Sequence, residues 1–292
     1  MTNDKKYIGE LNKLFDEFSQ KVLEIDVLKN LSKESEELQL TKIEEQLKHY
    51  DKNNIDLENF THFSTFHYTN IFRDRNESIG ISEKSLLDLH DSIRFNLNRQ
   101  YQWFLVEAYE LYEKYVYDLY LLINSNDNSF FTTSELKKIP KIIIELRKKL
   151  IFMNNYELGN DNYLKGINLN ACMQREKIDY QFYMALILEL RNSIVHDRGI
   201  VKDKNFFLEK MFKKNNILEK EKKKEYLQNM EQFFGIGKYE NLICVNELIV
   251  NSNKSFTCSK DRLNLLLGDI VSYSGLLKDL IIQTTVHDNL TN

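Results

Sequence analysis

Residues that break helices are scarce in this chain. It contains only 1 Pro and 9 Gly among 292 residues. Because both residues interrupt or weaken helices, their scarcity predicts long and uninterrupted helices. Apolar residues make up 42% of the chain and aromatic residues 12%, enough to build the core of one large helical domain with an appendage, or of two modest domains. The expected fold class is mostly α, in the form of a helical bundle.

The spacing of apolar residues places these helices along the first half of the chain. Residues 4–30 and a second stretch behind a candidate N-cap at Ser32 have helical periodicity, which predicts an N-terminal helical arm or hairpin. Residues 51–80 lack clear periodicity and are interpreted as a linker. From Ser82, a suitable N-cap, apolar residues recur in steps of three and four to about residue 124, which predicts one long helix. The expected division is an arm and linker in 1–80 and a helical domain in 81–292.

The second half of the chain continues in the same way, with one exception. A helix is predicted to begin near Ser134, with Pro140 in the first turn of a further helix, and another to span roughly 173–196. Residues 203–233 are interpreted as two short charged helices, and an amphipathic helix closes the domain. Between them, "KYENLICVNELIVNSNKSFT" has the composition of strands and predicts a small β-hairpin.

Charge and cysteine content narrow the class of protein. The net charge of −4 gives no global basic signature for nucleic acid, so such a partner would have to be held by local patches. The N-terminal "MTNDKKYIGE" lacks the apolar core of a secretory signal, and no apolar run has the length of a membrane span. The 3 cysteines are far apart and form no CxxC pair. We therefore expect a cytoplasmic protein with reduced thiols and no membrane partner.

One stretch, "ELRNSIVHDRGIVKDKNFF" at residues 189–207, stands out because a strongly apolar helix turns polar there. At about 100° per residue, Glu189, Asn192, Ser193 and His196 fall within one arc of roughly 100°, as if lining a pocket, a partner or a hydrogen-bond network. Arg191 projects about 140° away from His196. The two side chains can converge if the helix distorts at its end, if the long arginine curls round, or if a two-fold dimer brings two copies together.

The "RNSIVH" segment resembles the RNxxxH motif of the HEPN superfamily, a group of all-α proteins found widely in prokaryotic toxins and defence systems. The following "DRGIVKDKNFF" and the preceding "QWFLVEAYELYEKYVYDLY" are also similar to segments of such domains. The specific resemblance covers about 189–207 and the architectural resemblance roughly 82–286. Residues 1–80 are not explained by it.

The resemblance implies a metal-independent endoribonuclease that acts as a toxin or anti-phage defence effector. In such families two protomers form a composite site, so a homodimer is expected, together with an antitoxin or activating protein as a partner. His196 would be the general acid/base, Arg191 would stabilise charge on the phosphoryl group, and Asn192 would orient the pair. Some relatives carry a modified Tyr two residues after the His. Here Arg198 occupies that position, so this form of regulation is not expected.

The chemistry of the residues agrees with this implication. RNA supplies its own nucleophile, the 2′-OH, so the enzyme needs proton transfer and a cation beside the phosphate, and we expect no metal or other cofactor. Histidine titrates near neutrality, and arginine offers a permanently charged planar fork. Arg198, Lys213 and Lys214 are candidate contacts to RNA, although the lysine-rich run 213–224 is also typical of a solvated helix with paired charges.

Two other functions remain open from the sequence. The chain could be a non-catalytic helical interaction module whose arm (1–50) recruits a partner, or a nucleotide-binding regulator that uses the same polar pocket.

Overall fold

The computed structural model describes residues 2–52, 61–70, 75–126, 180–215, 217–252 and 256–291. The described chain is mostly α-helical, which confirms the predicted fold class. It contains six α-helices and one 3-10 turn at Gly237–Tyr239. The helices are α1 (Thr2–Lys52), α2 (Leu86–Asn126), α3 (Tyr180–Asp197), α4 (Lys204–Lys214), α5 (Lys220–Glu231) and α6 (Arg262–Thr291).

Helix α1 is one continuous helix rather than a hairpin of two. Ser32, the predicted start of a second helix, lies in its interior, where its hydroxyl donates to the carbonyl of Leu28 at 2.9 Å. Serine hydroxyls make this bond back to the preceding turn when they occur within helices. The same residue type therefore caps a helix or continues it, and the local sequence alone did not separate the two cases.

Helix α2 is the predicted long helix, and its N-cap lies three residues after the predicted one. Ser85, not Ser82, is the N-cap: its hydroxyl accepts from the Asp88 N–H at 3.1 Å, and its own N–H donates to the Asp88 carboxylate at 3.2 Å. This reciprocal pair satisfies two backbone N–H groups that the first turn would otherwise leave without partners.

Two antiparallel strand pairs accompany the helices. The predicted linker contains most of the first pair, which has a register shift between Thr65 and Phe66. The Thr, Phe and Tyr content of "THFSTFHYT" is typical of strands, and this composition was the feature of the sequence that could have predicted β1. The pairs are β1 (Thr61–Asn70) with β2 (Arg75–Ser85), and β3 (Glu247–Ser252) with β4 (Phe256–Asp261).

The chain divides into two compact units, Met1–Val27 with Tyr101–Asn292, and Leu28–Gln100. In the first unit, the ring of Phe18 on α1 stacks on Tyr115 of α2 with centroids 4.8 Å apart, and the Tyr115 hydroxyl donates to the Ser274 carbonyl of α6 at 3.1 Å. Helix α3 completes this bundle, with Leu186, Ile187 and Leu190 fully buried.

The charged segment 203–233 forms α4 and α5, as predicted. Asp203 caps α4 by accepting from the Phe206 N–H at 3.0 Å. The helix predicted near Ser134, the turn at Pro140 and residues 173–179 lie outside the described residues. Among the described helices, none combines the length and the apolar character needed to cross a membrane.

Candidate functional site

Helix α3 changes character within a single turn. From Phe182 to Leu190 its side chains are buried, apart from a half-buried Leu188, as expected of a helix at the centre of a bundle. Arg191, Asn192 and Ser193 are half-buried, and His196 is exposed. The polar helix end predicted from the sequence is therefore present, and it reaches solvent.

A left-handed turn ends this helix. Arg198 has a φ of 56° and Gly199 a φ of 70°, and the Gly199 N–H donates to the Ser193 carbonyl at 3.0 Å. Glycine adopts this conformation without steric cost, whereas an arginine does so only under strain. The turn supplies a hydrogen-bond donor to the last turn of α3 and ends the helix just after His196.

Gly199 is also required by a close approach. A Cβ at this position would lie 2.5 Å from the side-chain nitrogen of Gln102, a buried residue of α2. The same Gln102 nitrogen donates to the Ile243 carbonyl at 2.7 Å, and the Ile243 N–H donates to the Gly199 carbonyl at 2.8 Å. The glycine after the motif therefore serves packing and backbone pairing, which fixes where the helix end lies.

Arg191 points towards α2. Its guanidinium donates to the Asn192 side-chain oxygen at 3.3 Å and to a carboxylate oxygen of Glu110 at 3.3 Å, while its Nε–H is buried without a hydrogen-bond partner. The side chain of Arg191 is 21% exposed and that of Glu110 is 58% exposed. One edge of the guanidinium is thus held by a carboxylate that water readily reaches.

A second carboxylate of α2 lies near this arginine. Burial raises the pKa of Glu113 above its usual range, the charge of Arg191 opposes the rise, and the charge of Glu110 adds to it. Two acidic residues of α2 therefore lie near one cation of α3, and Glu110 is the one that forms an ion pair with it, at 3.3 Å.

Arg191 and His196 do not meet within the described part of one chain. The arginine is bonded to Asn192 and Glu110, and no hydrogen bond joins it to His196, which is exposed in the last turn of α3. The distortion that would bring both side chains together within one helix is therefore not observed. Of the three sequence-based routes to convergence, the two-fold dimer is the one that this geometry leaves intact.

Glu189 departs most from the predicted polar stripe. Its side chain is only 9% exposed, and its two oxygens accept from Lys210 and Lys214 of α4, each at 2.7 Å. Burial would raise its pKa, but the hydrogen bonds and charges of the two lysines outweigh burial and hold the pKa of Glu189 below its usual range. Glu189 joins α3 to α4 and does not share a surface with His196.

The candidate RNA contacts have different surroundings. Lys214 is held by Glu189, whereas Lys213 and Arg198 are exposed. Their contact with RNA stays a prediction. The sequence interpretation did not include Gln102, Glu110, Glu113 or Lys210, because their partners on α3 and near residue 243 lie 21 to 141 residues away in the chain.

Within the described residues, no group of three or more His, Cys, Asp or Glu side chains is arranged to hold a metal ion. No protein-family model matches the chain, and no curated protein or solved structure matches it either. The residues at the end of α3 and their chemistry are therefore what points to a function.

Proposed function

We propose that this protein is a metal-independent endoribonuclease of the HEPN type. The observation that carries the proposal is the contrast within α3: a buried helix ends in a half-buried guanidinium and an exposed imidazole, five residues apart. If Arg191 and His196 served packing alone, their guanidinium and imidazole groups would not need to be accessible to solvent. The arrangement suits a site that receives a phosphate and exchanges a proton.

The proposed reaction uses the 2′-OH of RNA as the nucleophile. The imidazole of His196 accepts the 2′-OH proton as the 2′-oxygen bonds to phosphorus, or donates a proton to the leaving 5′-oxygen. The products are a 2′,3′-cyclic phosphate and a 5′-OH end. Arg191 stabilises the additional negative charge on the phosphoryl oxygens, and Asn192 holds the guanidinium in orientation through its contact of 3.3 Å.

A second copy of the chain completes the proposed site. Arg191 is turned towards α2 by Glu110, while His196 faces solvent beyond it. A two-fold axis beside the helix ends would place the His196 imidazoles of both protomers between their Arg191 side chains. The active protein is therefore expected to be a homodimer, and a dilution that dissociates it should abolish cleavage.

The first experiment is cleavage of total RNA and tRNA by purified protein in EDTA. Wild type is compared with Arg191→Ala and His196→Ala, and with Arg94→Ala and His49→Ala as matched losses of the same residue types elsewhere. Cleavage that survives EDTA, leaves cyclic phosphate ends and disappears only in the first two variants supports the proposal. Cleavage that persists in His196→Ala would refute the assigned mechanism.

The biological role proposed here is that of a toxin or anti-phage effector. It depends on the resemblance of "RNSIVH" to the HEPN motif and not on the chemistry of the site. Induction of the wild-type protein in bacteria is expected to slow growth, and His196→Ala is expected to relieve the effect. An antitoxin or an activating protein would be the partner that controls it.

A non-catalytic interaction module or a nucleotide-binding regulator is the second candidate function. The observation that favours it is the Arg191–Glu110 contact, since this guanidinium is already paired within the chain. Such a protein would not cleave RNA, and its induction would affect growth equally with and without His196→Ala.

A further inference from the structure

Residues 235–242 form a compact loop, termed the tip loop here. At its base the Gly235 N–H donates to the Leu242 carbonyl at 3.0 Å, and inside it the Leu242 N–H donates to the Tyr239 carbonyl at 2.8 Å. A Cβ on Gly235 would collide with the Tyr239 backbone, and Gly237 has a φ of 60°. The two glycines and the internal bonds give this loop one defined conformation.

The tip loop is bonded to the segment that follows His196. Ile200 pairs with Leu242 as an isolated antiparallel bridge, and the Val201 N–H donates to the Asn241 carbonyl at 2.9 Å. Backbone lengths, the spacing of paired strands and the span of a turn limit the distance between the His196 and Tyr239 Cα atoms to about 25 Å. A strand of a few nucleotides covers such a distance.

Residues 236–240 of the tip loop are exposed to solvent, whereas Leu242 at its base is buried. Ile236 is 84% exposed and Tyr239 is 42% exposed, and the Lys238 ammonium lies 4.9 Å from the centre of the Tyr239 ring. Scattered exposed apolar residues are ordinary, but here an aromatic ring and a cation are displayed together on a loop whose conformation is fixed. An exposed ring stacks on any nucleobase, and an ammonium beside it attracts the adjoining phosphate.

We propose that the tip loop is a subsite for single-stranded RNA, in which a base a few nucleotides from the cleaved phosphate stacks on Tyr239 and Lys238 contacts the backbone. Exposed Arg198 and Lys202 lie on the segment that follows His196, where the exposed carboxylates of Asp197 and Asp203 balance their charge. This inference rests on the proposed ribonuclease function and deepens it, because it selects unpaired RNA as the substrate class.

The test measures binding by the full-length protein of a fluorescein-labelled 12-nucleotide single-stranded RNA, by anisotropy, in the His196→Ala background. Adding Tyr239→Ala is expected to weaken binding by about fivefold or more, the lower end of what base stacking on one aromatic ring contributes. Adding Tyr239→Phe should retain the affinity. Tyr117→Ala is the matched control, because Tyr117 is 40% exposed on α2 and is expected to leave binding unchanged.

The outcomes separate the subsite from the proposed function. If wild type cleaves RNA and the His196→Ala protein binds it, but Tyr239→Ala binds equally well, the subsite is refuted and the ribonuclease stands. If Tyr239→Ala instead lowers dimer formation in sedimentation without changing RNA affinity, the loop is a protein contact and the subsite is again refuted. If wild type neither binds nor cleaves RNA, both proposals fail together.

Discussion

Glu189 and His196 lie two turns apart on the same helix, and the fold treats them in opposite ways. Glu189 is enclosed and held by two lysines of α4, whereas His196 is exposed in the last turn of α3. Both residues fall on one polar stripe in sequence. The polar stripe at the end of this buried helix therefore has two parts. The part with Glu189 joins two helices, and the part with His196 is accessible to a ligand. Stability should depend on the first part and activity on the second.

The largest expected effect separates activity from stability at His196. Replacing it by alanine is expected to reduce RNA cleavage by about 10²–10⁴-fold, the usual contribution of a general acid/base. Because the side chain is exposed, the free energy of unfolding should change by no more than about 0.5 kcal/mol. Parallel cleavage assays and urea unfolding measure both quantities. A large loss of stability would mean that the exposed part of the stripe is structural too.

The reverse behaviour is expected at Glu189 when its two lysines are removed. Lys210→Met with Lys214→Met leaves the enclosed carboxylate without a counter-charge, which should lower the free energy of unfolding by about 3 kcal/mol. Urea unfolding measures the loss, and Lys213→Met, an exposed lysine of the same helix, is the control. Unchanged stability in the double variant would show that α4 is not joined to α3 through this ion pair.

Lowering the pH should reduce the difference in the free energy of unfolding between wild type and the Lys210→Met, Lys214→Met double variant. The pKa of Glu189 is lowered in the folded protein, so its contribution is present above the unfolded-state value of about 4.3 and is lost as the pH falls through the lower folded value. In the double variant, burial raises the pKa of Glu189. As the pH falls, protonation of this carboxyl removes the free-energy cost of burying its unpaired charge. Unfolding at pH 7, 5 and 4 should show the two proteins converging, while the Lys213→Met difference stays constant.

Gly199 lies in the turn that ends α3 after its accessible part, and its replacement tests how that helix end is fixed. Gly199→Ala should cost about 2 kcal/mol, from the left-handed backbone and from the collision with Gln102. Gly237→Ala has a similar φ of 60° but nothing within 4 Å of the added Cβ, so it should cost about half as much. Thermal unfolding of both variants isolates the effect of Gln102. Equal losses would show that Gln102 adjusts without cost.

The smallest effect is expected at Glu110. Glu110→Gln removes the carboxylate that competes with phosphate for Arg191, so RNA affinity in the His196→Ala background should rise by about two- to fivefold. Stability should change by less than about 0.5 kcal/mol, because the pair is partly exposed. Glu107→Gln, an exposed acid one turn earlier on α2, is the control for total charge. A fall in affinity would mean that Glu110 orients Arg191 for binding.

Elements with strong apolar periodicity could be predicted from the sequence. Helix α2 and the polar end of α3 follow from it, because spacing alone defines which face is buried. The start of α2 was misplaced between two serines, since only the reciprocal contact with Asp88 identifies the cap. Local patterns also say nothing about what covers a helix end. The pairing of Arg191 with Glu110, 81 residues away, and of Gly199 with Gln102 arises from packing between helices.

The left-handed backbone of Arg198 lowers the thermal stability of this protein. A non-glycine residue in that conformation stores roughly 1–2 kcal/mol of strain, so Arg198→Gly should make the protein more heat-resistant. A chain that keeps a long cationic side chain there, beside a histidine, gives up thermal stability at that position. Keeping a strained but charged residue at the expense of thermal stability is typical of positions that bind a ligand.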